Sequence, residues 1–399
     1  MRRREFVAGA GAAALLSAQT GAKKRIACLS STYFVRSHSD NFVTRFLEGY
    51  WVGERYHEPP FEVASLWIDQ IHPADVGQRL ARAYGVRQCG SIAEALTLGT
   101  GNLAVDGVVL VCEHGEFPHN AKNQQLYPRY EYFEQVVRVF RDSGRVCPVF
   151  NDKQLSYDWP KARRMYDWSR ELKFPLMAGS SVPVTFRRPE YDPALGTAME
   201  SALSVGGGWV ADGGIFHILE TLQAFTERRK GGETGVKAVR LLKDDAVWKA
   251  AREGLWRREL LDAALARSVK PAPAHKPEKM RAVLGLVDYR DGFTAAVLAL
   301  DEVSEYIAAV KPKGGAVQAA LCYIPIENSN NFSNLVHGIA RMISTGAPPY
   351  PVERTLLATG TLAALMESGY QGGKRIETPA LGIAYKAPAK SWYAAGEGS

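Results

Sequence analysis

Along the first half of the chain, short unbroken apolar runs alternate with stretches of helical period. Arg25–Ser31 (RIACLSS) and Val105–Cys112 (VDGVVLVC) are nearly continuous apolar runs. Such runs mark strands covered on both faces, as in a parallel sheet. Phe61–Ile68, Val86–Cys89, Val146–Phe150 and Phe174–Ala178 add four more strands. Helical spacing fills the gaps at Asp40–Glu48, Pro73–Tyr84, Ser91–Leu98, Tyr130–Asp142 and Trp159–Leu172. Ser91 and Glu94 form a capping box at the start of one of them. Repeated strand–helix units predict an α/β fold with a doubly wound parallel sheet over residues 23–180.

The pattern changes near Gly179. A glycine run, Gly206-Gly207-Gly208, precedes Asp212 and a helix through Arg228. Strands follow at Val236–Leu242, Ala282–Tyr289, Phe293–Leu300 and Ala316–Tyr323. Asp291-Gly292 reads as a hairpin turn between two of them. The Pro-rich stretch Val269–Pro277 reads as a loop, and Pro351–Gly369 as an amphipathic helix. Residues 181–399 are thus expected to form an α+β domain with a mostly antiparallel sheet.

Composition adds limits. The chain has 399 residues, 46% apolar and 23% charged, which suits a globular protein of two domains. A net charge of +7 without a basic stripe argues against nucleic acid. Arg3-Arg4-Glu5-Phe6-Val7 is a twin-arginine pattern leading into a weakly apolar stretch to Ala18. Residues 1–22 are therefore expected to direct export to the periplasm or beyond; the plain alternative is a frayed basic tail. No stretch reaches the roughly 18 apolar residues of a membrane span. Five cysteines without a CxxC pair predict core thiols, with no metal site and no disulfide scaffold.

Candidate chemistry sits at strand ends. In an open α/β sheet, ligands lie beyond the carboxyl ends of the strands. Asp152 and Lys153 follow the run ending at Phe150, and Glu113-His114-Gly115-Glu116 ends the neighbouring strand. The bland alternatives are solvated charges and a polar rim. Metal binding by Glu113, His114, Glu116 and His119 is one use of that rim. His217 opens a helix after glycines and could move a proton near neutral pH. The first turn, Ser30-Ser31-Thr32, has no glycine for a pyrophosphate, though its hydroxyls could bond one. Asp69, ending the second strand, suits a ribose diol.

Together these features resemble the Gfo/Idh/MocA family of oxidoreductases over most of the chain. Asp152-Lys153-Gln154-Leu155-Ser156 stands where that family has Glu-Lys-Pro-Leu-Ala. Gly214, His217 and Glu220 resemble its Asp-x-Gly-x-His-x-x-Asp segment, although Asp212 is one residue too far from His217. Gly372–Glu377 resembles its closing strand. The resemblance implies a Rossmann-like first domain and a sugar, cyclitol or related polyol as substrate. It implies NAD or NADP held near Ser30, Ser31, Thr32, Asp69, Glu113, His114 and Lys153. Lys153, His217 and Asp152 would be catalytic. It also implies a homodimer or homotetramer, paired through a free face of the second sheet. Two rivals share the scaffold: a non-redox lyase or hydrolase, and a carbohydrate-binding protein without catalysis.

Overall fold

The computed structural model describes residues 22–207, 212–325 and 329–396. The export pattern and Gly208 lie outside the described residues. The first half runs β1 (Arg25–Ser30), β2 (Tyr50–Val52), β3 (Arg55–His57), β4 (Glu62–Ile68), β5 (Arg87–Gln88), β6 (Gly107–Val111), β7 (Val149–Asp152) and β8 (Leu176–Gly179). Its helices are α1 (Arg45–Glu48), α2 (Gly77–Ala83), α3 (Ile92–Thr97), α4 (Arg129–Ser143) and α5 (Trp159–Glu171). Six strands form one parallel sheet in the order β5-β4-β1-β6-β7-β8, and β2 and β3 form a separate hairpin. This is the doubly wound sheet expected, with the order reversing beside β1.

Two boundaries move. α2 starts at Gly77 rather than Pro73, because Asp75 pairs back with Phe34. β7 continues through Asn151 and Asp152, which still pair with Ala178 and Gly179 of β8. Asn151 is fully buried there, its amide bonded to the carbonyls of Asp152 and Gln154. The expected solvated tip is thus part of the sheet.

The second half contains β9 (Phe186–Arg188), β10 (Met199–Gly207), α6 (Asp212–Thr226), β11 (Val236–Lys243), α7 (Asp245–Arg252) and α8 (Arg258–Leu265). Then come β12 (Ala282–Tyr289), β13 (Thr294–Leu300), β14 (Tyr306–Pro312), β15 (Gln318–Tyr323), α9 (Asn331–Thr345), α10 (Glu353–Tyr370) and β16 (Ile376–Glu377). The sheet order is β16-β11-β12-β13-β10-β14-β15-β9; β10–β13 is parallel and the other pairings are antiparallel. The Asp291-Gly292 turn joins β12 to β13 as expected.

Two expectations are corrected here. The second sheet has no free face: α6 and α10 pack on one side, and α7 and α8 cover the other with Trp248, Trp256, Leu260 and Leu261. The argument for oligomers through that face therefore falls. α10 is not amphipathic but buried almost all round, wedged among α5, α6 and β11. In addition, α9 returns from the second half, and its Leu335, Val336, Ile339 and Ile343 share a core with Ile26 and Val109 of the first sheet and with Phe42 of the helical turn before α1.

That return sets up a test of packing. A Cβ at Gly107 of β6 would stand 2.8 Å from Ile343 Cδ1. Gly107→Ala should destabilise the protein by about 1–3 kcal/mol through overpacking. Thermal and denaturant melts should show it, and Ile343→Val should recover part of the loss. A neutral Gly107→Ala would mean that α9 does not seat there.

The cysteines are free, and all but the partly exposed Cys89 are buried, as core thiols should be. Among the described residues no helix is long and apolar enough to cross a membrane.

Candidate active site

Tips of the first sheet and one end of the second enclose a cavity of about 1250 Å³. Glu113 and Lys153 reach it from β6 and β7, Asp212 and His217 from α6, and Tyr306 from β14. The loop after β6 supplies a wall through Lys122, Asn123, Gln125 and Tyr127. Gln124 anchors that loop, its amide donating to the Tyr157 carbonyl at 3.0 Å. Lys153 and His217 thus share one cavity, although one follows β7 of the first sheet and the other stands on α6.

Backbone geometry sets up Lys153. Its φ is +62°, and its N–H bonds the Gly179 carbonyl at 3.1 Å. His114 has φ of +65°. Non-glycine residues hold such left-handed backbones at a cost, typically where surrounding contacts fix them at a site. The turn at Lys153 sends the amine toward the first turn of α6, where a Cβ at Gly213 would lie 3.7 Å from Nζ.

A buried carboxylate organises the charges. Glu113 accepts from Lys153 Nζ at 2.7 Å and from Arg129 Nη2 at 2.5 Å. Burial works to raise the Glu113 pKa, but the two cations outweigh it and hold the carboxyl well below the usual range. Arg129, at the start of α4, is fully buried, with its guanidinium 4.6 Å above the Tyr127 ring. Sequence reading missed Arg129; its only local signal is an arginine after Tyr127-Pro128 at a helix start. Asp212 also lines the cavity, and burial pushes its carboxyl up despite Arg129. Among the described residues its Oδ2 has no partner.

His217 is held from behind. Its Nδ1 lies 2.6 Å from Ser180 Oγ, leaving Nε2 as the other ring nitrogen. Glu220 accepts from the Ser180 N–H at 2.5 Å and from Thr355 Oγ1 at 2.5 Å. Burial and the Lys153 cation keep the imidazole well below its ordinary pKa. A neutral His217 is therefore available as a proton acceptor at neutral pH.

Burial pushes Glu220 up to about 7 from 4.5. A raised acid binds its proton more tightly when folded, so stability falls as pH rises from about 4.5 to about 7. Glu220→Gln should flatten that slope in melts across this window. An unchanged slope would remove Glu220 as its source.

The other expected site residues fall elsewhere. Asp152 does not line the cavity; its Oδ2 accepts the short contact to His38 Nδ1, 2.6 Å away. Asp152 still belongs to β7, whereas Lys153 follows it with a left-handed backbone, and the two side chains part company. His38 carried no sequence signal beyond its Ser-rich surroundings. The His114 ring lies 5.4 Å from both the Phe34 and His38 rings, and burial lowers its pKa to about 4. Glu116 and His119 are exposed on the loop, and no metal-binding cluster occurs among the described residues.

The turn residues do not fit a pyrophosphate. Ser30, Ser31 and Thr32 are buried, and Ser31 Oγ donates to the carbonyls of Glu113 and His114 at 2.9 and 3.1 Å. The first helical turn beyond has its own hydroxyl partner in Ser37, whose Oγ accepts the Asp40 N–H at 3.2 Å, while the Asp40 carboxylate accepts the Arg36 N–H. The Asp40 carboxylate places a negative charge in that first turn, where a bound anion would have to sit. Asp69 does stand exposed at the end of β4.

No protein-family model matches the chain, and no curated protein matches it either. Solved structures do. GenD2 from gentamicin A biosynthesis, in complex with NAD, superposes with a TM-score of 0.54 at 15% identity, over 90% of this chain and 97% of that one. A myo-inositol dehydrogenase from Corynebacterium glutamicum gives 0.53 at 14% identity, over 89% and 98%. A Gfo/Idh/MocA family oxidoreductase from Vibrio cholerae gives 0.51 at 13%, over 88% and 98%. The chain has the Gfo/Idh/MocA oxidoreductase fold. This is the fold that the sequence resemblance implied.

Proposed function

We propose that the protein acts on a sugar, cyclitol or related polyol held in the Lys153–His217 cavity. One amine from the end of β7 and one neutral imidazole from α6, brought to a single cavity, carry this reading. Lys153 would give or take the proton of a substrate hydroxyl, with His217 Nε2 as its counterpart. Tyr127, Tyr306 and Tyr370 line the cavity and offer faces for a sugar ring. Asp212 and Lys243 add polar contacts at its wall.

Oxidation of that hydroxyl with NAD or NADP is the form of the reaction supported by the fold neighbours, one of them solved with NAD. A non-redox lyase or hydrolase is the second form, favoured by the turn residues that do not fit a pyrophosphate. The twin-arginine pattern supports a periplasmic or secreted location.

Calorimetry with a panel of sugars and cyclitols, followed by mass spectrometry of products, tests the reading. The parent should bind and convert at least one polyol, and His217→Gln should bind it but convert it far more slowly. Equal conversion by parent and variant would reject the assignment.

A further inference from the structure

Beyond the ends of β1, β4 and β6 the chain keeps pairing with itself. The Ser31 N–H donates to the Val111 carbonyl at 3.0 Å, stitching the exit of β1 to β6. On the other side, Asp69 N–H donates to Ser30 O, Gln70 N–H to Ser31 O and Val76 N–H to Tyr33 O, at 2.8–3.0 Å. Gln70 then reaches across to the β6 loop. Its amide oxygen accepts the Glu116 N–H at 2.8 Å, and its amide nitrogen donates to the Glu116 carbonyl at 3.2 Å.

Side chains fill the space over these stitches. Phe34 packs on His72 at a tilt, with ring centroids 4.3 Å apart, and meets His114 edge-on. Tyr33 is fully buried against Gly77, where a Cβ would stand 2.5 Å from its ring, and its hydroxyl bonds Thr44 at 2.7 Å. The His38–Asp152 pair closes the end nearest Lys153.

A dinucleotide needs the opposite arrangement. Its pyrophosphate approaches a turn whose backbone N–H groups are free and whose side chains are absent. Here, in the turn after β1, the Phe34 N–H is donated to Ser37 Oγ, the Arg36 N–H to the Asp40 carboxylate and the Ser37 N–H to the Phe34 carbonyl; the N–H groups of Ser31, Asp69, Gln70 and Val76 alongside are donated too, and the Phe34 and His72 rings lie over the turn.

We propose that the crevice over β1 and β4 is a closed wall of the protein's own groups, and that the Lys153 cavity works without a dinucleotide seated there. The cavity is then an acid–base site served by Lys153 and His217, and the crevice over β1 and β4 lies outside its lining.

The experiment is nucleotide titration of the full purified chain. NAD, NADH, NADP and NADPH are each followed by calorimetry, and small molecules released on denaturation are identified by mass spectrometry. Hydrogen exchange is read at the amides of Ser31, Gln70 and Val76, with and without nucleotide. The expected results are no saturable binding up to millimolar nucleotide and no released nucleotide. Those three amides should be protected equally in both conditions. Saturable binding, stoichiometric release or a nucleotide-dependent change at those amides would overturn the closed wall. Any of these would leave the polyol site standing, since that site is tested by its own substrate.

Discussion

Glu113→Gln should destabilise the protein by about 3–5 kcal/mol, the usual cost of removing one partner from a buried ion pair. The reason is arithmetic of charge in a dry place. Arg129 has no exposed side-chain surface, and the Lys153 side chain is 8% exposed. Both cations point at one carboxylate, and an amide can neutralise neither. Two guanidinium nitrogens of Arg129, Nε and Nη1, already lack partners among the described residues, so there is no reserve of acceptors. The sign with pH follows from the depressed Glu113 pKa. Its stabilisation is complete above the ordinary carboxylate range and is lost only as pH falls toward its own lowered value. Denaturant melts of parent and variant at neutral pH measure the difference. A loss under about 1 kcal/mol would mean that the triad is a solvated surface cluster.

Lys153→Met should behave in the reverse way: small in stability, large in turnover. Glu113 keeps Arg129 as a partner, so no buried charge is stranded. The methionine side chain fills similar space. What disappears is the amine at the cavity wall, and general acid–base groups contribute about 10²–10⁴-fold to rate. Conversion of the bound polyol should fall by that order while the melting temperature moves little. Comparable loss of stability in both variants, with activity retained, would reassign Lys153 to a structural role.

The contrast between the two residues shows what the sequence could and could not reveal. Lys153 was legible because it follows a buried strand at the sheet edge where ligands collect. Arg129, the second cation on Glu113, was not, since that pair spans sixteen residues and a change of element. Asp152 was misassigned because sequence adjacency to Lys153 says nothing about which face each side chain takes. The structure turns it to His38, 114 residues away. Ser31 was legible as a strand-end hydroxyl but not as one already bonded to two carbonyls.

The fold divides along similar lines. Val105–Cys112 announced β6 because a strand covered on both faces is apolar throughout. Ser91 announced α3, and its hydroxyl does accept the Glu94 N–H at 3.1 Å. β10, by contrast, is built from Met199–Gly207, where small and hydroxyl residues give no alternation, and it was missed. So were α7 and α8, whose apolar sides cover the second sheet and remove the face expected to be free. α10 was found but misread, because a helix buried on nearly every side has no polar stripe to define its orientation.

The measurement closest to the centre of the account is a crystal structure of the protein with a bound polyol that it converts. A substrate hydroxyl should lie within hydrogen-bond distance of both Lys153 Nζ and the His217 imidazole, with the sugar ring inside the cavity between the two sheets. A polyol seated on another surface, leaving either group untouched, would contradict it.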